Sequence, residues 1–193
     1  MIVEETLSYL RQGKIIAYAT DTVWGIGGDA TRPEVVQRIY TLKKRADAKA
    51  LIGLVGSKKQ LENYVFPIPP EVEPYLSGDR PTTVIYSNPK GLAPNMLSAE
   101  QTVALRIPKH PFLEEVLQKF GKAIISTSAN ISGFPTPSNF AEIAPEILEG
   151  VDYIVPLDQE KESGKPSRII KVEPNGSLTI LRPWNKALIL LPI

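Results

Sequence analysis

Lys43, Lys44 and Arg45 stand in a row with Lys49 close behind, the densest positive cluster in the chain. At a helix end such charges complement the macrodipole, a purely structural use. Their spacing also suits chemistry. Lys43 and Arg45 are two residues apart, so on an extended chain both project from one side and can face a polyphosphate. Lys43 supplies a point charge, and Arg45 can grip two oxygens at once. The second such stretch is residues 124–137, IISTSANISGFPTP, where an apolar run gives way to hydroxyls, one amide, a glycine and two prolines. It reads as a buried strand that ends in a loop. Ser126, Thr127, Ser128, Asn130 and Ser132 place donors and acceptors where the chain leaves the sheet, and Gly133, Pro135 and Pro137 stop any regular continuation. Taken alone, a Ser/Asn-rich turn without a ligand explains it as well.

Other residues carry weaker signals. Arg106 lies inside the apolar run VALRI, so it either faces solvent or has a partner, for which a ligand carboxylate or phosphate would serve. Asp21 fits an Asx-type turn or, alternatively, a metal-linked carboxylate or general base. Gly25, Gly27 and Ala30 spell GxGxxA with Asp47 downstream, but residues 20–24 intervene after the strand and Pro33 starts the helix late. A dinucleotide site is therefore discounted, and no Walker A sequence is present. The single His110 precedes Pro111 at a helix entrance and reads as a surface residue, leaving no His-based metal cluster. Zero cysteines exclude disulfides, thiolate metal sites and cysteine nucleophiles, and fit a reducing compartment.

The elements that must position these residues follow from periodicity and punctuation. Residues 4–11 read as a helix stopped by Gly13, and 14–19 as a strand. Thr31 and Pro33 read as the cap and first turn of a helix with Val35, Ile39 and Leu42 on its core face. A strand at 51–55, a short helix at 58–64 and a Pro-rich connector at 66–74 come next. Strands at 82–86 and 103–107 precede an amphipathic helix at 112–120 that stops at Gly121. Asn139 and Glu142 are spaced as a capping box for a helix bearing Ile143 and Ile147. A strand at 152–155 and a hairpin of 169–172 with 178–181 around Asn175-Gly176 complete the pattern. Strands interleaved with helices, together with a late hairpin, imply an α/β domain with a mixed sheet. With 193 residues, 42% of them hydrophobic, one compact domain over 1–193 is expected. Lys plus Arg total 22 and Asp plus Glu 21, a net charge of +1, so any attraction for phosphate must be local. The start lacks a basic segment and an apolar core, and the longest apolar run, 187–191, is too short to span a bilayer. No membrane partner and a cytoplasmic location are expected.

Read in order, TDTVWGIGGDA, LKKRADAKALI, VALRIPKHP and STSANISGFPTP make the chain resemble the YrdC-type threonylcarbamoyl-AMP synthases over residues 13–182. The combination of KxR with SxN is specific, although each piece alone is weak. The resemblance implies a twisted mixed β-sheet with flanking helices around a central cleft, in the short form without an extra C-terminal domain. It also implies a reaction in which L-threonine, bicarbonate or CO2, and ATP yield threonylcarbamoyl-AMP and pyrophosphate. This is the first step towards threonylcarbamoyladenosine in tRNA, with Mg2+ bound through the phosphates and threonylcarbamoyl transferase proteins downstream.

Residue by residue, KxR falls on Lys43 and Arg45 and SxN on Ser128 and Asn130, which the resemblance makes the catalytic and ATP contacts, joined by Thr136 and Arg182. Thr20, Arg106, Ser126 and Ser167 take the threonine positions, with Arg106 facing the threonine carboxylate; no residue is assigned to a metal. The family's proline after the KxR arginine is Ala46 here, a neighbouring Asp is Ala48, and its WPGP is Asp79-Arg80-Pro81-Thr82. Such a reaction depends on positioning and charge neutralisation more than on a protein nucleophile, consistent with a chain lacking Cys. The family is also associated with double-stranded RNA, so a tRNA- or RNA-binding module without synthase activity is the second reading, and a dinucleotide enzyme the third. The hydroxyl-rich loop at 126–136 fits a small-molecule pocket better than an RNA backbone, which would call for more Lys and Arg.

Overall fold

Apolar runs between turn formers become strands in the computed structural model, which describes residues 1–44 and 51–184. They are β1 (Ile16–Tyr18), β2 (Gly25–Gly27), β3 (Ile52–Leu54), β4 (Thr82–Ser87), β5 (Thr102–Arg106), β6 (Ile124–Ser128), β7 (Tyr153–Ile154), β8 (Arg168–Val172) and β9 (Leu178–Arg182). The α-helices are α1 (Ile2–Arg11), α2 (Pro33–Leu42), α3 (Lys58–Glu62), α4 (Glu73–Ser77), α5 (Pro111–Phe120) and α6 (Pro145–Gly150). The described strands form one sheet ordered β7-β1-β2-β6-β3-β5-β4-β8-β9. Pairs β1/β7, β3/β5 and β4/β8 are parallel and the remaining neighbours antiparallel. The expected mixed α/β sheet is thus observed, its antiparallel hairpins needing only loops and its parallel pairs longer crossovers.

Period-two alternation sends successive residues to two cores. Ile16, Tyr18, Leu54 and Ile124 pack under Leu7 and Leu10 of α1 and Leu113, Val116 and Leu117 of α5. Their neighbours Ala17, Val55 and Ile125 join Val35, Val36 and Ile39 of α2 and Ile147 of α6 on the other side. Each fully buried Val, Leu or Ile stabilises the fold by about 1.5–3 kcal/mol, so both helix layers are held mainly by such contacts. Strands β2 and β6 approach too closely for a side chain at Gly27, where a Cβ would sit 1.7 Å from the Ile125 carbonyl oxygen. Gly25 and Gly27 are therefore strand residues, in line with discounting them as a phosphate loop. Among the described residues, no helix is long and apolar enough to cross a membrane.

Four local expectations need correction. The N-cap of α2 is Arg32, not Thr31, whose N–H and hydroxyl both donate to Asp29 Oδ1, at 2.9 and 2.6 Å. Asn139 Oδ1 does accept the Glu142 N–H, but the turn it caps is the 3-10 segment Phe140–Glu142; α6 begins separately at Pro145, a favoured first position. The stretch read as a Pro-rich connector leads into α4, because Pro74 falls in its first turn, where a missing N–H costs nothing. His110 is not on the surface. It stands at the N-cap position of α5, without a side-chain capping bond, its side chain 8% exposed and its Nε2 2.9 Å from Asp158 Oδ2.

Candidate active site

Helix α2 ends at Leu42 and makes Lys43 its C-cap, where the side chain is drawn inward: the residue is 2% exposed. Its Nζ donates to the carbonyl oxygens of Ser128 at 2.5 Å and Asn130 at 2.6 Å, with Asn130 Oδ1 at 3.4 Å. The Lys43 carbonyl in turn accepts the Ser132 N–H at 2.9 Å. A buried ammonium is tolerated because this loop wraps it in acceptors. The loop is also braced internally: the Ser128 hydroxyl donates to Asn130 Oδ1 at 2.5 Å, and Asn130 Nδ2 donates to the carbonyls of Phe134 at 2.6 Å and Ile131 at 3.1 Å. Lys43, Ser128 and Asn130 thus meet as expected, although 85 and 87 residues separate them. Arg45, Ala46, Asp47, Ala48 and Lys49 lie outside the described residues. Thr136 is exposed further along the same loop, and Lys44 forms a solvent-exposed pair with Glu146 at 3.3 Å.

The remaining candidates gather beside this loop. Ser126 and Ser128 are two apart on β6 and therefore project from one face. A Cβ on Gly25 would lie 3.4 Å from Ser126 Oγ and 3.9 Å from the Thr20 methyl, which places Thr20 and Ser126 about one glycine. The Thr20 hydroxyl closes its own turn, accepting the N–H groups of Thr22 at 2.9 Å and Val23 at 3.1 Å. Thr20, rather than Asp21, is therefore the turn former. Asp21 instead pairs with Arg106: Nη1 donates to Oδ1 at 2.8 Å, and Oδ2 accepts the Lys109 N–H at 3.1 Å. Arg106 thus has a partner within the protein and does not face solvent.

Arg182 Nε donates to the Ser167 carbonyl at 2.9 Å, while the Ser167 and Thr83 hydroxyls lie 2.7 Å apart. Burial first, then the nearby Arg106 charge, lowers the Arg182 pKa from its ordinary value. Both arginines therefore bear on one region, where Asp21 is the carboxylate on Arg106. Beneath it Tyr18 donates to the Ile125 carbonyl at 3.0 Å; burial outweighs hydrogen bonding to Ser126 and the Arg106 charge and pushes its pKa up to about 12. Residues 158–166 cross this region. Ser163 donates from its N–H to the Ser138 carbonyl and from its hydroxyl to the Pro137 carbonyl, and Gly164 backs onto the carbonyls of Asp21 and Thr22. A groove of about 420 Å³ between α3 and α5, lined by Gly56, Lys59, Gln60 and Glu114, holds none of these residues.

Sequence reasoning weighed Asp21 and Arg106 separately and missed that each answers the other. Half of the signal was present: Arg106 in its apolar strand calls for a partner, whereas Asp21 between Thr20 and Thr22 reads as an ordinary turn residue. Thr83 and Tyr18 gave no such signal, because a hydroxyl within a strand is ordinary.

The family model described as Sua5/YciO/YrdC, telomere recombination, matches residues 8–183. A Photobacterium profundum protein named threonylcarbamoyl-AMP synthase is 28% identical over 183 residues, covering 93% of this chain and 97% of its own. A protein of the same name from Vibrio parahaemolyticus is 32% identical over 172 residues, covering 86% and 91%. The chain is similar in structure to P. abyssi Sua5 complexed with L-threonine, with a TM-score of 0.81 and 27% identity. That alignment covers 94% of this chain and 53% of the longer Sua5 chain, so this chain spans about half of that protein. Escherichia coli YciO superposes with a TM-score of 0.80 at 21% identity, a likeness of fold.

Proposed function

Because the chain belongs to the Sua5/YciO/YrdC family, we propose that it is a threonylcarbamoyl-AMP synthase whose chemistry takes place where Lys43 meets the loop of Ser128 and Asn130. That meeting is the observation that carries the reading. The names of the relatives and the threonine complex of the Sua5 structure support it.

The residues divide the work by charge. The Ser126, Thr20 and Ser167 hydroxyls with Arg106 surround the amino acid; Arg182, given to ATP by the resemblance, is bonded to Ser167 and is assigned here to the border of the threonine site, so that the threonine carboxylate answers the positive charge that Asp21 leaves unbalanced. The threonine amine takes up bicarbonate to give a carbamate and water. A carbamate oxygen then attacks the α-phosphorus of ATP in line, forming the mixed anhydride as the bond to pyrophosphate breaks. Lys43 acts mainly through its field and by fixing the loop, since its ammonium is already held by two carbonyls. Arg45, two residues on, is assigned to the phosphates by the resemblance. Among the described residues no group of three or more His, Cys, Asp or Glu side chains is placed to hold a metal. The resemblance assigns Mg2+ to the phosphates of the nucleotide, where it would offset their charge.

We place the reaction in the cytoplasm, with the adenylate passed to a threonylcarbamoyl transferase acting on tRNA. The RNA-binding alternative is less favoured, because the loop at 126–136 presents hydroxyls and an amide rather than the Lys and Arg that a phosphate backbone calls for. Incubation with ATP, bicarbonate and threonine should release pyrophosphate only when threonine is present. If none forms while duplex RNA binds with a steep salt dependence, the RNA reading replaces this one.

A further inference from the structure

We infer that Phe134 is the platform on which the base of the bound nucleotide stacks, an inference that rests on the nucleotide reading above. Phe134 is 67% exposed, one of few large apolar side chains left so open among the described residues. A single exposed aromatic means little by itself. What distinguishes this one is how firmly the backbone presents it. Its N–H donates to the Ile131 carbonyl at 3.1 Å, and its carbonyl accepts Asn130 Nδ2 at 2.6 Å. Gly133 before it has φ +88, a left-handed conformation that other residues rarely adopt, and Pro135 follows with a fixed φ.

The loop that pins the ring is also the loop that wraps the buried cation. The far end of the Asn130 amide accepts the Ser128 hydroxyl and faces Lys43 Nζ, and the next-but-one residue before Phe134, Ser132, donates to the Lys43 carbonyl. One short segment thus carries both a charged, hydroxyl-rich part and a flat apolar face, the two halves of nucleotide chemistry. The field of the cation and the hydroxyls of the loop suit phosphates, whereas a base needs an apolar plane, and phenylalanine supplies one without a polar atom that demands a partner. In the free protein the ring stays wet; a stacked base would remove it from water and contribute to affinity in proportion.

The test compares two probes that share phosphates and differ in the base. Phe134→Ala should weaken ATP binding by roughly tenfold or more while leaving inorganic tripolyphosphate binding unchanged, and Phe134→Tyr should restore ATP binding. Because the ring is exposed, the melting temperature of the alanine variant should match that of the parent protein. Equal weakening of both probes would mean that the ring only props the loop, and unchanged ATP binding would mean that the base lies elsewhere; either overturns the inference. Such results with threonine-dependent pyrophosphate release intact in the parent protein would leave the synthase reading standing. A parent protein that binds no ATP would remove both.

Discussion

Arg106 and Asp21 form an ion pair at 2.8 Å with side chains only 5% and 9% exposed, joining the end of β5 to the turn after β1. Neither charge is screened by water, so the turn that carries Thr20 is fixed to the strand that carries Arg106. The pair holds two chain-distant parts of the proposed threonine site in one geometry.

Removing one partner alone should therefore cost more than removing both. Asp21→Asn leaves a buried guanidinium without its counter-charge, and unfolding by denaturant should show a loss of about 3 kcal/mol. The double change Asp21→Asn with Arg106→Met should recover much of that stability while threonine-dependent turnover stays low. A single-variant loss under about 0.5 kcal/mol, the level of an exposed pair, would contradict the buried pairing.

Lys43→Ala should reduce turnover at least about 100-fold, the scale of losing one preorganised electrostatic contribution. The fold should suffer too, because the carbonyls of Ser128 and Asn130 lose their donor and the loop its centre. A stability loss of about 2 kcal/mol should accompany the loss of activity. Normal stability with normal turnover would remove Lys43 from both roles.

Tyr18 links stability to alkaline pH. Its folded pKa, raised to about 12 chiefly by burial, lies above the ordinary value of 10.0, so the folded state resists losing this proton. The stabilisation is fully present below pH 10 and should be lost as pH rises towards 12, at up to about 1.4 kcal/mol per unit for this one group. Tyr18→Phe should flatten that slope without abolishing it, since burial also raises Tyr64 and Tyr86. An unchanged slope in the variant would place the titration elsewhere.

How far the molecule can be read from its sequence depends on the range of the forces involved. Helix α5 was legible because Leu113, Val116, Leu117 and the stop at Gly121 are all local, and the turn at Gly176 for the same reason. The capping box at Asn139 and Glu142 was legible as a bond but not as a helix start, because Pro145 sets that boundary independently. His110 was misread because the Asp158 carboxylate that meets its ring comes from 48 positions away. In the site, the meeting of Lys43 with Ser128 and Asn130 was implied by the resemblance, which gives both segments to one nucleotide. Its form was not, since the ammonium is satisfied by main-chain carbonyls that every sequence possesses. The pairing of Arg106 with Asp21 was hidden likewise by an 85-residue separation.

The most direct measurement of the central claim is the fate of the bicarbonate carbon. With 13C-bicarbonate, threonine and ATP, mass spectrometry of the quenched reaction should find an AMP adduct of threonine carrying one heavy carbon, equal in amount to the pyrophosphate released and absent when threonine is omitted. Pyrophosphate or AMP formed without that label, or an adduct formed equally well by Lys43→Ala, would contradict a synthase centred on Lys43 and the Ser128–Asn130 loop.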